Sequence, residues 1–193
     1  TFSKEIFSSW KVTSFSALSS HVESAIEDPE LFEAKLLEKL EASVQQYPYI
    51  LVSALAGAGK TTLLAQWANY TDIKISWLQL HEDLNKPQYF GSYLFAALNV
   101  HRNVDHTLLQ IFQAGDLLLH ELLRKLLIIL EENSPEKLCI ILDDYHLIEN
   151  VEIHEAMRDF IYHLPESVSV LISTRNDPSP GLAGMRAKHM VFE

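Results

Sequence analysis

The sequence predicts an α/β domain with a mostly parallel sheet of about five strands and helices on both faces. Two observations carry this prediction. Continuous apolar runs at Tyr49 to Leu55, Leu138 to Leu142 and Val168 to Ser173 have the pattern of strands buried on both faces. Segments of helical period alternate with these runs, which is how helices come to cover a parallel sheet. At 193 residues, 48% hydrophobic and 21% charged, the chain has an ordinary composition for one sizeable core.

In chain order, Phe15, Leu18, Val22 and Ile26 fall at helical spacing after Ser14, giving a helical extension over residues 1–30 ahead of a main domain over 31–193. The opening TFSKEIFSSWKV has no initiator Met and no basic-then-apolar signal pattern, and it reads as a domain boundary within a longer protein. Asp28-Pro29 supplies an N-cap and a first-turn proline for a helix reaching Gln46, with Leu36, Leu37, Leu40 and Val44 on one face. The first strand, Tyr49 to Leu55, ends in a glycine-rich turn, and a helix runs from Lys60 to Tyr70. A strand at Lys74 to Leu80 follows, then a polar loop from His81 to Pro87 and a helix holding Tyr89, Phe90, Tyr93, Leu94 and Leu98. Leu117 to Glu132 reads as a buried helix capped by Asp116. A strand at Leu138 to Leu142, a helix from Val151 to Leu164 and a strand at Val168 to Ser173 complete the alternation, and Met190 to Phe192 can start a fifth strand.

Charge and composition exclude several roles. Fifteen basic against twenty-six acidic residues leave a net charge of -11, spread along the chain, which disfavours a grip on nucleic acid through phosphate neutralisation. Cys139 is the only cysteine, so no disulfide forms within the chain; it sits in an apolar run as a small core residue, and a reducing cytoplasm is the natural setting. Leu117 to Leu130 is too short, and too interrupted by His120, Glu121, Arg124 and Lys125, to span a bilayer. The nine histidines form no metal-binding pattern such as HExxH.

The chemistry concentrates after the first strand. A phosphate loop needs backbone N–H groups converging at a helix N-terminus, then a lysine and a hydroxyl. Ala56-Gly57-Ala58-Gly59-Lys60-Thr61-Thr62 supplies these parts, with Lys60 to reach the β and γ phosphates and the Thr61 hydroxyl to ligate Mg²⁺. Ala54 stands where the G-x-x-x-x-G-K-[ST] pattern has its first glycine, which alanine can replace if its φ is negative. The alternative is a glycine-rich strand-to-helix turn with an incidental lysine. Leu142-Asp143-Asp144 closes a second apolar strand with two carboxylates at the sheet edge where ligands bind in such folds. Asp143 is placed to hold Mg²⁺ and Asp144 to polarise an attacking water; taken alone, the pair is equally a solvated turn. Ser173, Thr174 and Arg175 end a third strand as γ-phosphate sensors, unless Arg175 is a surface charge paired with a nearby acid.

These residues together resemble the ATPase domain of MalT-like, LuxR-type transcription regulators, in the signal-transducing STAND class of P-loop ATPases. The similarity begins near Lys35. The loop Ala56 to Thr62 with Gln66-Trp67, the Trp77 and Leu80 strand, Glu82, Asn85, Pro87 and Phe90, the run Ile141 to Ile148, and Leu164-Pro165 with Ser173-Thr174-Arg175 follow the family pattern in order. Gly181 to Arg186 is similar to the segment that follows. His81 and Leu84 replace two aspartates of the pattern, and Glu33-Ala34-Lys35 stand where the family carries arginines that touch the adenine nucleotide. The resemblance implies a three-layer P-loop NTPase fold of ASCE/AAA-like type, with the Arg175 strand inserted between the phosphate-loop strand and the Asp143 strand. It implies ATP as the on-state ligand, ADP as the off-state ligand, and self-association when an inducer acts. DNA would be contacted only through a C-terminal domain outside this chain. The competing expectations are a hydrolysis-deficient nucleotide-binding or protein-interaction module and a small-molecule kinase, for which the region after Arg175 offers only Arg186 and Lys188.

Overall fold

The computed structural model describes residues 29–102, 105–132, 136–175 and 190–193. The expected helix through Phe15 and Ile26 and the Gly181 to Arg186 segment lie outside them. Within the described residues the expected alternation is present. Helix α1 (Pro29–Gln46) leads to β1 (Tyr49–Ser53), α2 (Lys60–Tyr70) and β2 (Lys74–Gln79); α3 (Pro87–Arg102), α4 (His106–Ala114) and α5 (Leu119–Glu132) follow. The chain then forms β3 (Leu138–Asp143), α6 (Val151–Tyr162), β4 (Val168–Thr174) and β5 (Val191–Phe192).

The five strands lie in the order β2-β3-β4-β1-β5, and every pairing is parallel. β4 therefore lies between β1 and β3, the insertion that the family resemblance implies. Alternation along the central strands divides the core into two layers, because successive side chains point to opposite faces. Cys139, Ile141 and Leu171 meet Leu40 and Val44 of α1 and Leu64 and Trp67 of α2. Leu138, Ile140, Leu142, Val170 and Ile172 meet the apolar faces of α3, α5 and α6. Both β3 and β4 are buried along their whole length, which explains why their sequences read as unbroken apolar runs.

Polar contacts fix the layers. The Trp67 indole N–H donates to Glu41 Oε2 at 2.9 Å, tying α2 to α1, and Ser169 Oγ in the buried β4 donates to Val44 O and Tyr47 O at 2.9 Å each. On the other face α3 and α4 approach closely at Gly91, where an added Cβ would sit 2.6 Å from Phe112 Cζ.

Three boundaries differ from the sequence expectations by two residues. β1 stops at Ser53, two residues before Leu55, because Ala54 and Leu55 turn their carbonyls to Lys60. α5 starts at Leu119, and its N-terminus is closed by the Glu121 carboxylate accepting from Leu118 N at 2.8 Å, so Asp116 is not the cap. α6 ends at Tyr162, two residues before Leu164. Helix α4 carries no sequence expectation, yet its signals are ordinary: Asp105 accepts from Thr107 N as N-cap, and Gly115 at φ 87° closes the C-terminus.

Candidate phosphate-binding site

The site lies at the C-terminal edge of the sheet, where β1, β3 and β4 end together. Gly57 and Gly59 take φ values of 77° and 79°, the left-handed region that glycine enters without steric cost. Gly59 caps α2 without any side-chain hydrogen bond, so the N-terminus of that helix is not closed by a side chain. Such an end favours an anion through its N–H groups and its dipole. Ala54 has no positive φ: among the described residues Asp144 is the only non-glycine residue with one. The missing glycine of the loop therefore imposes no strain. Ala56, Gly57, Thr61 and Thr62 are exposed, whereas Ala58 and Lys60 are buried.

Lys60 folds back on its own loop. Its Nζ donates to Ala54 O at 2.8 Å and to Leu55 O at 3.2 Å. Its pKa is lowered, first by burial; Asp144 acts in the opposite direction, Arg175 adds to the lowering, and Asp143 again opposes it. The ammonium is thus held inside the loop beside the two carboxylates and the guanidinium.

Asp143 is fully buried at the end of β3 and is the hub of the site. Thr61 Oγ1 donates to its Oδ2 at 2.8 Å, Ser173 Oγ donates to Oδ1, and Asp144 N reaches Oδ1 at 3.1 Å. α2, β3 and β4 are thereby linked through one carboxylate. Asp144 stands beside it at φ 60°, its N–H also 3.0 Å from Ser173 Oγ, and its Oδ2 accepts from Gln79 Nε2 at 2.9 Å. Arg175 follows β4 with an exposed side chain, near enough to influence Lys60 and His146 electrostatically. The structure therefore gathers Gly57, Gly59, Lys60, Thr61, Asp143, Asp144, Ser173 and Arg175 at one edge. Glu33-Ala34-Lys35 lie in the early turns of α1, with Ala34 and Lys35 exposed.

Two residues of the site carry no role in the sequence expectations. His146 lies in the turn after Asp144 with its Nδ1 3.7 Å from Asp144 Oδ1, and neither buried ring nitrogen has a hydrogen-bond partner. Burial and then Arg175 lower its pKa against the pull of Asp144, so the ring stays neutral near pH 7. Its place three residues after Asp143 was visible in the sequence, but its burial was not. Gln79 reaches the site only through register, because parallel pairing sets it opposite Asp143.

The residues fit the group that a phosphate loop implies. Thr61 and Asp143 present a hydroxyl and a carboxylate oxygen side by side, the hard oxygen donors that Mg²⁺ takes together with phosphate oxygens. Among the described residues no group of three or more His, Cys, Asp or Glu could hold a metal by itself.

Fold and loop together define an α/β phosphate-loop domain. Comparison with known proteins makes the assignment more particular. The chain is 40% identical over 163 residues to the HTH-type transcriptional regulator MalT of Serratia proteamaculans (strain 568), covering 82% of this chain and 18% of that protein. The resemblance to the P-loop ATPase domain of MalT-like regulators is thereby borne out, and the chain spans under a fifth of the relative's length. No family model matches. Among solved structures, the fold is similar to a chain in the structure of Drosophila ORC bound to AT-rich DNA and Cdc6, at a TM-score of 0.58 and 10% identity over 90% of this chain and 57% of that one. A chain in the structure of Drosophila ORC bound to DNA gives a TM-score of 0.51 at 14% identity over 83% of this chain and 86% of that one. Those likenesses bear on the fold alone. Among the described residues no helix is long and apolar enough to cross a membrane.

Proposed function

We propose that this chain is the ATP/ADP-binding switch domain of a MalT-like, LuxR-type transcription regulator of the STAND class, with slow Mg²⁺-dependent ATP hydrolysis. The observation that supports the reading most is the convergence of Lys60, Thr61, Asp143, Asp144 and Arg175 at one sheet edge, beside a helix N-terminus that no side chain caps.

In this reading Ala56 to Thr62 wrap the phosphates, their backbone N–H groups facing the oxygens. Lys60 leaves the carbonyls of Ala54 and Leu55 and swings its ammonium to the β and γ phosphates. Thr61 and Asp143 are the residues whose oxygens would hold Mg²⁺. When bound, that ion neutralises charge on the phosphate oxygens. Asp144 accepts from the attacking water and orients it, and Arg175 senses the γ-phosphate and stabilises the charge that develops on it.

Switching requires the two nucleotides to be bound differently. Moving a two-state equilibrium from 1:99 to 99:1 needs about 5.5 kcal/mol of differential binding, and in this reading much of it comes from further domains of the full-length regulator. In this reading those domains supply the inducer site, the self-association of the ATP state and the DNA contact, and the lone Cys139 suits a cytoplasmic setting. A phosphate-release assay comparing wild type with Asp144→Asn tests the hydrolytic role. Slow release by wild type that is lost in the variant supports it, and no release by either favours a nucleotide-binding or interaction module without turnover.

A further inference from the structure

We infer that Gln79 is a positioning residue for Asp144, aiming one carboxylate oxygen at the attacking water by engaging the other. The inference rests on the hydrolytic reading above and extends it to a residue on the edge strand. Gln79 is the last residue of β2, and its Nε2 donates to Asp144 Oδ2 at 2.9 Å.

The backbone around Gln79 is fixed on both sides. Within the sheet it is paired with Asp143, and immediately after it Leu80 N donates to Asp143 O at 2.9 Å. Beyond that, Asn85 clamps the following loop to the one after β3. Its Nδ2 donates to Leu147 O at 2.7 Å, and its Oδ1 accepts from Glu149 N at 2.6 Å and Asn150 N at 3.1 Å. The Gln79 amide therefore projects from a held backbone toward Asp144.

Asp144 needs such a partner. Its backbone is set at φ 60° by the bonds from its N–H to Asp143 and Ser173, but its short side chain retains rotational freedom about two torsions. His146 lies 3.7 Å from Oδ1, beyond hydrogen-bond distance, and makes no hydrogen bond there. Gln79 thus gives the carboxylate its one side-chain hydrogen bond among the described residues, and it leaves Oδ1 to accept from water. An exposed glutamine at a strand end is ordinary, whereas one bonded to the acid that orients water contributes geometry to the reaction.

The test measures turnover and Mg·ATP affinity for wild type, Gln79→Ala, Gln79→Glu, Asp144→Asn and the Gln79→Ala/Asp144→Asn pair. Gln79→Ala is expected to lower kcat roughly tenfold while nucleotide affinity stays within about twofold, as loss of orientation without loss of binding requires. Gln79→Glu, which replaces the donor by a like charge, should be at least as slow, and Gln79→Ala should add nothing once Asp144 is Asn. Wild-type kcat in Gln79→Ala, a parallel loss of nucleotide affinity, or a full additive effect in the Asp144→Asn background would each overturn the inference. Turnover lost in Asp144→Asn but kept in Gln79→Ala overturns this inference alone. Turnover untouched by Asp144→Asn overturns the reading beneath it.

Discussion

The Thr61 hydroxyl donates to Asp143 Oδ2 across 2.8 Å, joining the first turn of α2 to the end of β3. The two residues are 82 positions apart in the chain, and the bond between them brings the two proposed Mg²⁺ ligands into contact. The same carboxylate accepts from Ser173 and from Asp144 N, so the site is built around one buried acid.

Replacing Asp143 by Ala should therefore affect both stability and binding. The buried hydroxyl of Ser173 loses its acceptor, which costs about 1–3 kcal/mol of stability, whereas the exposed Thr61 hydroxyl can turn to water. Denaturant unfolding of Asp143→Ala against wild type measures that loss, and calorimetry at varied Mg²⁺ should show nucleotide affinity no longer rising with the ion. Unchanged stability together with unchanged Mg²⁺ dependence would remove Asp143 from the centre of the site.

Asn85 is expected to matter for the fold more than for the phosphates. Its side chain bridges the loop after β2 to the loop after β3 through three hydrogen bonds, donating to Leu147 O and accepting from Glu149 N and Asn150 N, and a fourth, to Glu82 O, closes its own loop. Asn85→Ala should lower stability by about 1–3 kcal/mol, since partly buried backbone groups lose their partners. Urea unfolding monitored by tryptophan fluorescence checks it.

Gly91→Ala is a packing prediction remote from the site. The new Cβ would meet Phe112 Cζ at 2.6 Å and Leu119 Cδ1 at 2.9 Å, both side-chain atoms in a filled core. Overpacking of this kind costs about 1–3 kcal/mol, and Phe112→Leu in the same chain should restore part of it. The thermal midpoint should fall while phosphate-loop binding is retained.

The pH dependence follows from two partly buried imidazoles. His146 is held below 6.5 by burial and by Arg175, and His154, bonded to the Tyr145 hydroxyl at 3.1 Å, is held below 6.5 by burial. Between the folded pKa values and 6.5 the unfolded chain binds more protons than the folded one, so these groups favour folding above pH 6.5 and lose that contribution as pH falls below it. The urea midpoint should therefore decline from pH 7 toward pH 5, and His154→Gln should flatten part of the slope. An identical slope in the variant would exclude His154 as a source.

The sequence reveals the elements whose local pattern and tertiary environment agree. α1 and α2 begin and end where caps, proline, glycine and apolar spacing place them, and β3 and β4 are visible because burial on both faces forbids polar residues. The candidate site residues on the glycine loop and at Asp143 are legible because the proposed phosphate contacts constrain residue type and order locally. The relationships created by strand pairing were not legible. Gln79 meets Asp144, Asn85 spans two loops, and the Glu121 carboxylate on Leu118 N rather than Asp116 closes the start of α5, because in each case a partner distant in sequence or a competing carboxylate decides the geometry. The short α4 is marked in the sequence by its Asp105 cap and its Gly115 stop.

The central claim is that Lys60 and its loop bind nucleotide phosphates, and isothermal titration of ATP and ADP with Mg²⁺ into wild type and Lys60→Ala tests it most directly. Lys60 should exchange the carbonyls of Ala54 and Leu55 for phosphate oxygens, and a hydrogen bond from a charged donor contributes about 1.5–3 kcal/mol. The account predicts saturable binding by wild type and at least a roughly tenfold weaker affinity in Lys60→Ala. Equal affinity in the two proteins, or no binding by a folded wild type, would contradict it.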